Sequence, residues 1–315
     1  MSMKLAIVAG GNGLIGRALT TLLIKNSIQV VVIGSSNYLH PELGQFNSKL
    51  IKYLKVSNDS NFIDLLSFNI KKNFKYHSNC IFFNLAWKAG NSLMDGDISK
   101  QLKNIKFSSD LLKLAKQVGA RKYIVAGSME ELILERYVNK KLWVSGNINW
   151  KYKWYALSKA SSRMQTAFQA YHQKIDFCYT RISIVIDKKL TTSKFVEISL
   201  RDILTGSKVP KPSNKELCNI SSSEEIARQL LAVGAKGINN KIYVLGSGKA
   251  ATLYEYLINF SKICKKKFNT CNLKSKKNLF FLKKKDFAIT DLIKDTGYIP
   301  KENCYNLFKQ IVKKL

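Results

Sequence analysis

Acidic residues are scarce in this chain: 21 Asp and Glu stand against 52 Lys and Arg, for a formal charge of +31 at pH 7. Histidine is scarcer still, with three in 315 residues, and the six cysteines (Cys80, Cys178, Cys218, Cys264, Cys271, Cys304) form no C-x-x-C pair. Those shortages argue against a Cys/His zinc site, and scattered thiols fit a reducing compartment better than a disulfide framework. Long apolar runs are missing too. Nothing approaches the ~18 consecutive apolar residues of a membrane-spanning helix. The apolar opening "MSMKLAIVAGG" is interrupted by Gly10 and Gly11, too early for a secretory h-region. A soluble, cytoplasmic protein is the expectation.

What is present is an ordinary globular composition, 46% hydrophobic and 23% charged, in a chain long enough for two lobes. The positive excess would attract anions, including nucleic acid and acidic lipid. Its densest stretch, Ser261 to Lys285, holds ten lysines and no acid, with Phe, Leu and Ile interleaved. No nucleic-acid recognition motif accompanies it. The lysines therefore read as solvated faces; no specific nucleic-acid partner is expected, and peripheral association with acidic surfaces stays open.

"KLAIVAG", "IQVVVIG", "CIFFNLAW" and "KYIVAGS" are short, partly β-branched apolar runs of the kind that form buried strands. Between them lie segments of helical period, such as "ISKQLKNIKFSSDLLKLAKQVGA" with Gly119 as its stop. "IDFCYTRISIVI" reads as a further strand, "SSEEIARQLLAVGA" as a helix capped by Ser222 or Ser223, and "KIYVLGSG" as a strand. Buried strands alternating with amphipathic helices define an α/β fold: a Rossmann-type, doubly wound parallel sheet. A smaller α+β lobe follows. The division is expected at 1–170 and 171–315, with elements exchanged near the boundary.

Gly10, Gly13 and Gly16 form G-x-x-G-x-x-G between the first strand and the first helix. This is where a dinucleotide's pyrophosphate needs a tight turn, close backbone approach and an open helix N-terminus. The second strand ends "VVVIGSSN" without a carboxylate between Gln29 and His40 to grip ribose hydroxyls. Ser35 and Ser36 offer hydroxyls to a 2′-phosphate instead, which favours NADP over NAD.

Ser128 closes the strand "KYIVAGS", and Tyr155 and Lys159 follow one helical turn apart in "YALSK". A phenol is a poor acid/base at neutral pH, and an adjacent ammonium is expected to favour the phenolate. Lys159 can also hold the nicotinamide ribose and Ser128 the substrate oxygen. Tyr155 then exchanges a proton with that oxygen as hydride moves to or from the carbon.

On these residues the chain resembles the extended short-chain dehydrogenase/reductase family over nearly its whole length. "AGGNGLIG" looks like the family's nucleotide loop, "FFNLAW" like its fourth-strand motif and "YALSK" like its Y-x-x-x-K. "KIYVLGSGKAATLYEYL" and "DTGYIP" resemble its later signatures. "NLAW", "QLKNI" and "GSMEE" are similar to the H-L-A-W, Q-x-x-N-I and G-S-Q-A-E-Y-G of bacterial nucleotide-sugar 4-ketoreductases and epimerases. The resemblance implies that Asn12, Leu14, Ile15, Leu85 and Ala86 join the glycines, Tyr155 and Lys159 around the cofactor. It further implies a nucleotide sugar bound by the C-terminal lobe with Asn84, Ser128 and Arg181, deoxysugar synthesis for a surface polysaccharide, and a homodimer.

Departures from the family pattern leave the reaction open. Asn84 replaces a common histidine, no Y-G-P follows Arg181, and Glu225 stands for an aspartate. Glu130 matches the position of a dehydratase acid and Glu131 that of G-S-Q-A-E-Y-G, but Met129 stands where dehydratases carry aspartate. Both glutamates are candidates for a second acid/base; both equally read as a solvated pair. The expectation is reduction of a 4-keto nucleoside-diphosphate sugar by NADPH. The alternatives are an epimerase or dehydratase that retains NAD, and a non-catalytic dinucleotide-binding protein with a basic interaction surface.

Overall fold

The computed structural model describes residues 3–56, 61–74, 79–88, 97–139, 154–212, 214–271 and 282–314. Strand and helix alternate through the first part: β1 (Leu5–Ala9), α1 (Leu14–Lys25), β2 (Gln29–Gly34), α2 (Pro41–Gly44), β3 (Ile51–Lys55), α3 (Phe62–Asn73), β4 (Cys80–Asn84), α4 (Ile98–Gln117), β5 (Lys122–Ser128), α5 (Glu130–Asn139), α6 (Trp154–Gln173) and β6 (Asp176–Ile182). Shorter pieces follow: β7 (Ile184–Ile186), α7 (Phe195–Thr205), β8 (Val209–Pro210), β9 (Leu217–Cys218), β10 (Ile220–Ser222), α8 (Ser223–Lys236), β11 (Lys241–Leu245), β12 (Ala251–Thr252), α9 (Leu253–Cys264), β13 (Thr270–Cys271), α10 (Thr290–Thr296) and α11 (Cys304–Lys314).

Seven strands form one sheet in the order β3-β2-β1-β4-β5-β6-β11, every pair parallel. The continuous apolar runs of β1 and β4 are buried along their full length because helices cover both faces. Leu19 and Leu23 of α1 join Ile226, Leu230 and Val233 of α8 on one face. Leu66 and Ile70 of α3 and Leu111 and Leu114 of α4 cover the other.

Three elements beyond residue 170 complete this layer: β6, α8 and β11. The segment "IDFCYTRISIVI", expected as one strand, divides at Ser183. β6 stays in the sheet, while β7 leaves it to pair with β10. The Ser183 hydroxyl accepts the Asn219 amide at 3.1 Å, and Ile184 N–H reaches the Asn219 carbonyl at 3.0 Å, which fixes the departure. Ser222 is the N-cap of α8, its hydroxyl accepting the Glu225 amide at 3.1 Å. The second lobe packs α7, α9 and α11 around Leu200, Ile203, Leu257, Phe260, Leu307 and Phe308. Of the lysine-rich run, residues 272–281 lie outside the described residues. All six cysteines are unpaired, and no described helix is long and apolar enough to cross a membrane.

The strand order reverses at β1. β1 and β4 are neighbours in register, Ala9 opposite Asn84, but the chain leaves their C-terminal ends in opposite directions. A crevice opens there, and ligands of open α/β sheets bind at such a point.

Candidate active site

The glycine loop forms the floor of this crevice. Gly10 has φ of +81°, and a Cβ on it would lie 2.8 Å from the Ala86 amide nitrogen. At Gly16 a Cβ would lie 2.2 Å from the Gly10 carbonyl oxygen. Any larger residue at either position would push the loop after β1 off the loop after β4 or off α1. Helix α1 starts at Leu14 with no side-chain cap and no acid in its first turn, so the Leu14, Ile15 and Gly16 end meets the crevice as bare backbone.

Asn12, expected at the cofactor, has its side chain bonded to the segment after β2. Its Nδ2 donates to Ser36 Oγ at 2.6 Å and to the Tyr38 carbonyl at 3.0 Å, and its Oδ1 accepts the His40 amide at 3.0 Å. It staples the glycine loop to the segment after β2. Ser35 and Ser36 are exposed there, Ser36 also bonded to Tyr53. Lys55, opposite Gly34 in the register, reaches Asn37 at 2.7 Å. Glu42 is neutralised by Arg17 and Lys189, each at 3.0 Å.

Asn84, expected on the substrate, is bonded within the fold. It is 1% exposed, donates to the Tyr123 hydroxyl at 2.8 Å and accepts the Ala86 amide at 3.2 Å. The polar side chain sits under the loop as its support. Two residues of α4 hold the same loop from the side. Trp87 Nε1 donates to Gln101 Oε1 at 3.1 Å, and Asn104 both accepts the Lys88 amide at 2.9 Å and donates to its carbonyl at 2.8 Å. The role of this Q-x-x-N pair was missed in the sequence. Its signal was two amides at i and i+3 on the buried side of an amphipathic helix, where carboxamides need specific partners.

Ser128, at the end of β5, and Tyr155 and Lys159, on α6, meet beside this loop. The Ser128 side chain hydrogen-bonds the phenol, and Lys159 Nζ donates to the Ala126 carbonyl at 2.8 Å. The ammonium also lies 3.9 Å from the centre of a Trp87 ring, and Trp87 meets Tyr155 edge-on at 6.2 Å.

The electrostatics run opposite to the expected ones. Burial pushes Tyr155 well above the ordinary phenol value; the Ser128 bond pulls the other way, and Glu131 and Glu130 add to the rise. Burial also pulls Lys159 down to about 8, with Glu131 opposing. The lysine is itself desolvated and spends its charge on Ala126 and Trp87, so dehydration of the phenol decides its protonation.

Glu131 is fully buried, and its carboxylate accepts the Ser128 amide at 2.9 Å, the Tyr179 hydroxyl at 2.6 Å and Arg163 at 3.2 Å. This bonding makes it a support of the Ser128 backbone, and its burial overturns the solvated reading. Glu130 is half-buried, and its amide donates to Ser128 Oγ at 3.2 Å. Arg181 pairs with Glu135, which also binds Arg163 at 2.8 Å. The guanidinium expected on a substrate is therefore committed to an internal carboxylate. Glu225 is likewise structural, held by Arg228, Gln229 and Tyr298 of the "DTGYIP" motif.

The model of the NAD-dependent epimerase/dehydratase family matches residues 6–246. The chain belongs to that family. Among solved structures it is similar to the UDP-glucose 4-epimerase of Thermotoga maritima with UDP-glucose, at 18% identity, covering 98% of this chain and 97% of that one with a TM-score of 0.76. It is also similar to the UDP-N-acetylglucosamine 4-epimerase of Methanobrevibacter ruminantium in complex with UDP-N-acetylmuramic acid (18% identity, 99% and 98% covered, TM-score 0.75). A third is the dTDP-glucose 4,6-dehydratase of Bacillus anthracis in complex with NAD (15% identity, 99% and 96% covered, TM-score 0.75). At these identities the likeness shows a shared fold. A search of curated proteins gives no match.

The epimerase/dehydratase family is NAD-dependent, and the crevice fits such a cofactor. The Gly10 and Gly16 contacts leave a cradle that a Cβ would close, and the α1 terminus is uncapped. Gly10, Gly13 and the Leu14–Gly16 amides would hold the pyrophosphate, with Leu85 and Ala86 as the opposite wall. Tyr155 and Lys159 would stand at the nicotinamide end.

Proposed function

We propose that this family member carries out nicotinamide-dependent redox chemistry at C4 of a nucleoside-diphosphate sugar, its main reaction being reduction of a 4-keto sugar for a surface polysaccharide. The observation that carries this is the Ser128–Tyr155–Lys159 cluster, assembled where β5 and α6 meet the glycine-loop crevice with its phenol held protonated. A protonated phenol is the form that donates a proton to an oxygen gaining charge. Ser128, hydrogen-bonded to Tyr155, orients the same oxygen. Lys159 has N–H groups to spare for ribose hydroxyls. The dinucleotide, when bound, supplies the hydride.

NADP is the favoured cofactor. Exposed Ser35 and Ser36 with Lys55 beside them give the end of β2 hydroxyls and positive charge for a 2′-phosphate, and Glu42 is already neutralised. A homodimer is supported by Met164, Phe168 and Tyr171, spaced i, i+4, i+7 on the outer face of α6 and 60%, 69% and 73% exposed, beside Leu102 of α4 at 58%.

The second reading is an epimerase that retains NAD, favoured by the family match and by the 4-epimerases among similar structures. Dehydration is the weaker variant. Glu131 is bonded on both oxygens, and buried Met129 offers no acid. A panel of nucleoside-diphosphate 4-ketosugars with NADPH and NADH tests the proposal. Loss of reduced-cofactor absorbance, abolished in Tyr155→Phe, is the expected result. Interconversion of 4-hydroxy sugars by protein purified with NAD in place selects the second reading. No turnover of either kind overturns both.

A further inference from the structure

Lys159 presents a problem that its neighbours answer. It is 6% exposed, yet no carboxylate pairs with it among the described residues. The charged group that acts on it is Glu131 of α5, whose oxygens are taken by Ser128, Tyr179 and Arg163. Tyr155, one turn earlier on α6, contributes a neutral phenol, and β5 contributes the Ala126 carbonyl. The group that faces the ammonium from the remaining side is the indole of Trp87, at 3.9 Å from ring centre to Nζ. A buried cation over an indole face is a favourable pair, and it strengthens as water is removed.

The indole is itself fixed. Its N–H is bonded to Gln101, a side chain 1% exposed, and its edge rests near Tyr155 at an interplanar angle of 84°. We propose that Trp87 is a positioning residue of the catalytic cluster: its indole face serves as the counter-group that keeps Lys159 charged and aimed into the crevice. A carboxylate in that place would bind the ammonium through its N–H groups and compete with ribose hydroxyls. An aromatic face attracts the charge without using up the donors, so Lys159 stays charged with hydrogen bonds to offer. Gln101 sets the plane of the ring, which gives the Q-x-x-N pair of α4 a part in the chemistry as well as in holding the loop.

This inference rests on the reading of Lys159 as a cofactor-holding residue, but its test does not require turnover. Full-length wild type, Trp87→Phe, Trp87→Leu and Gln101→Leu are treated with an amine-acylating reagent across pH 6 to 10. Modification of Lys159 is then followed by peptide mass spectrometry. The reagent reacts with the neutral amine, so the midpoint reports the lysine's titration. Removing the aromatic face from a site that stays dry favours the neutral form. The midpoint in Trp87→Leu is expected to fall by about half to one and a half pH units. Trp87→Phe keeps a face and stays within a few tenths of a unit of wild type. Gln101→Leu loosens the ring and moves the midpoint the same way by less. A Trp87→Leu midpoint that is unchanged or higher overturns the proposal, as does an equal fall in Trp87→Phe. If Trp87→Leu does not fold, an unshifted Gln101→Leu decides against it. A sugar panel without turnover leaves this readout intact, so the two failures are distinguishable.

Discussion

At the scale of single residues, the site divides into groups that meet the reacting atoms and groups that hold them. Tyr155→Phe removes the proton donor assigned to the cluster and is expected to lower kcat by about 10² to 10⁴, the usual span for general acid catalysis, with dinucleotide affinity kept. Glu131→Ala tests the opposite assignment. It strips a buried carboxylate from Arg163, Tyr179 and the Ser128 amide, and should cost about 3 to 5 kcal/mol of stability, read as a lowered melting temperature. Loss of activity in a fully stable Glu131→Ala would return the glutamate to acid/base chemistry. The pH dependence follows from Lys159. Its folded value, about 8, lies below that of a free lysine, so the protonated form is lost first in the folded protein as pH rises. Activity that needs the ammonium is expected to decline through an alkaline limb near pH 8. The residue types of this cluster were legible in the sequence because G-x-x-G-x-x-G, Ser128 and Y-x-x-x-K stand in a fixed order. Their protonation was not, since it depends on burial, and a four-residue spacing says nothing about how dry a phenol is. The internal partners of Asn84 and Arg181 were not legible for the same reason: each faces a residue distant in sequence, Tyr123 and Glu135.

At the scale of elements, the crevice is made by two loops pressed together, one after β1 and one after β4. Gly10 and Ala86 are close enough to exclude a Cβ. Asn104 clamps the second loop by two part-buried hydrogen bonds to the Lys88 backbone, and Asn104→Ala removes both. Each lost bond of this kind is worth about 0.5 to 1.5 kcal/mol. Dinucleotide binding measured by titration calorimetry should therefore weaken roughly tenfold, with secondary structure unchanged. Equal affinity in the variant would show that the clamp does not shape the cradle. The strands were legible because buried parallel strands read as continuous apolar runs. The break at Ser183 was not, since isoleucines, Ile182 and Ile184, flank it on both sides. The turn is fixed by Asn219, some 36 residues further along.

For the whole molecule, the seven-stranded sheet draws β6, α8 and β11 from beyond residue 170, so the lobes share chain rather than dividing it. That interleaving brings the second lobe against the open end of β5. The stripe of Met164, Phe168 and Tyr171 belongs to this scale, since none of the described residues covers it. Phe168→Asp is expected to convert a dimer to monomer in sedimentation velocity; an unchanged sedimentation coefficient would place any interface elsewhere. The +31 charge has no part in the chemistry derived above.

The most direct test of the redox chemistry at the Tyr155 cleft is hydride transfer itself. NADPH deuterated at the nicotinamide C4 is given to the protein with a nucleoside-diphosphate 4-ketosugar, and the product sugar is examined by NMR. Deuterium at sugar C4 with wild type, and its loss in Tyr155→Phe, is the expected result. A reduced sugar without the label, or full labelling with Tyr155→Phe, would contradict it.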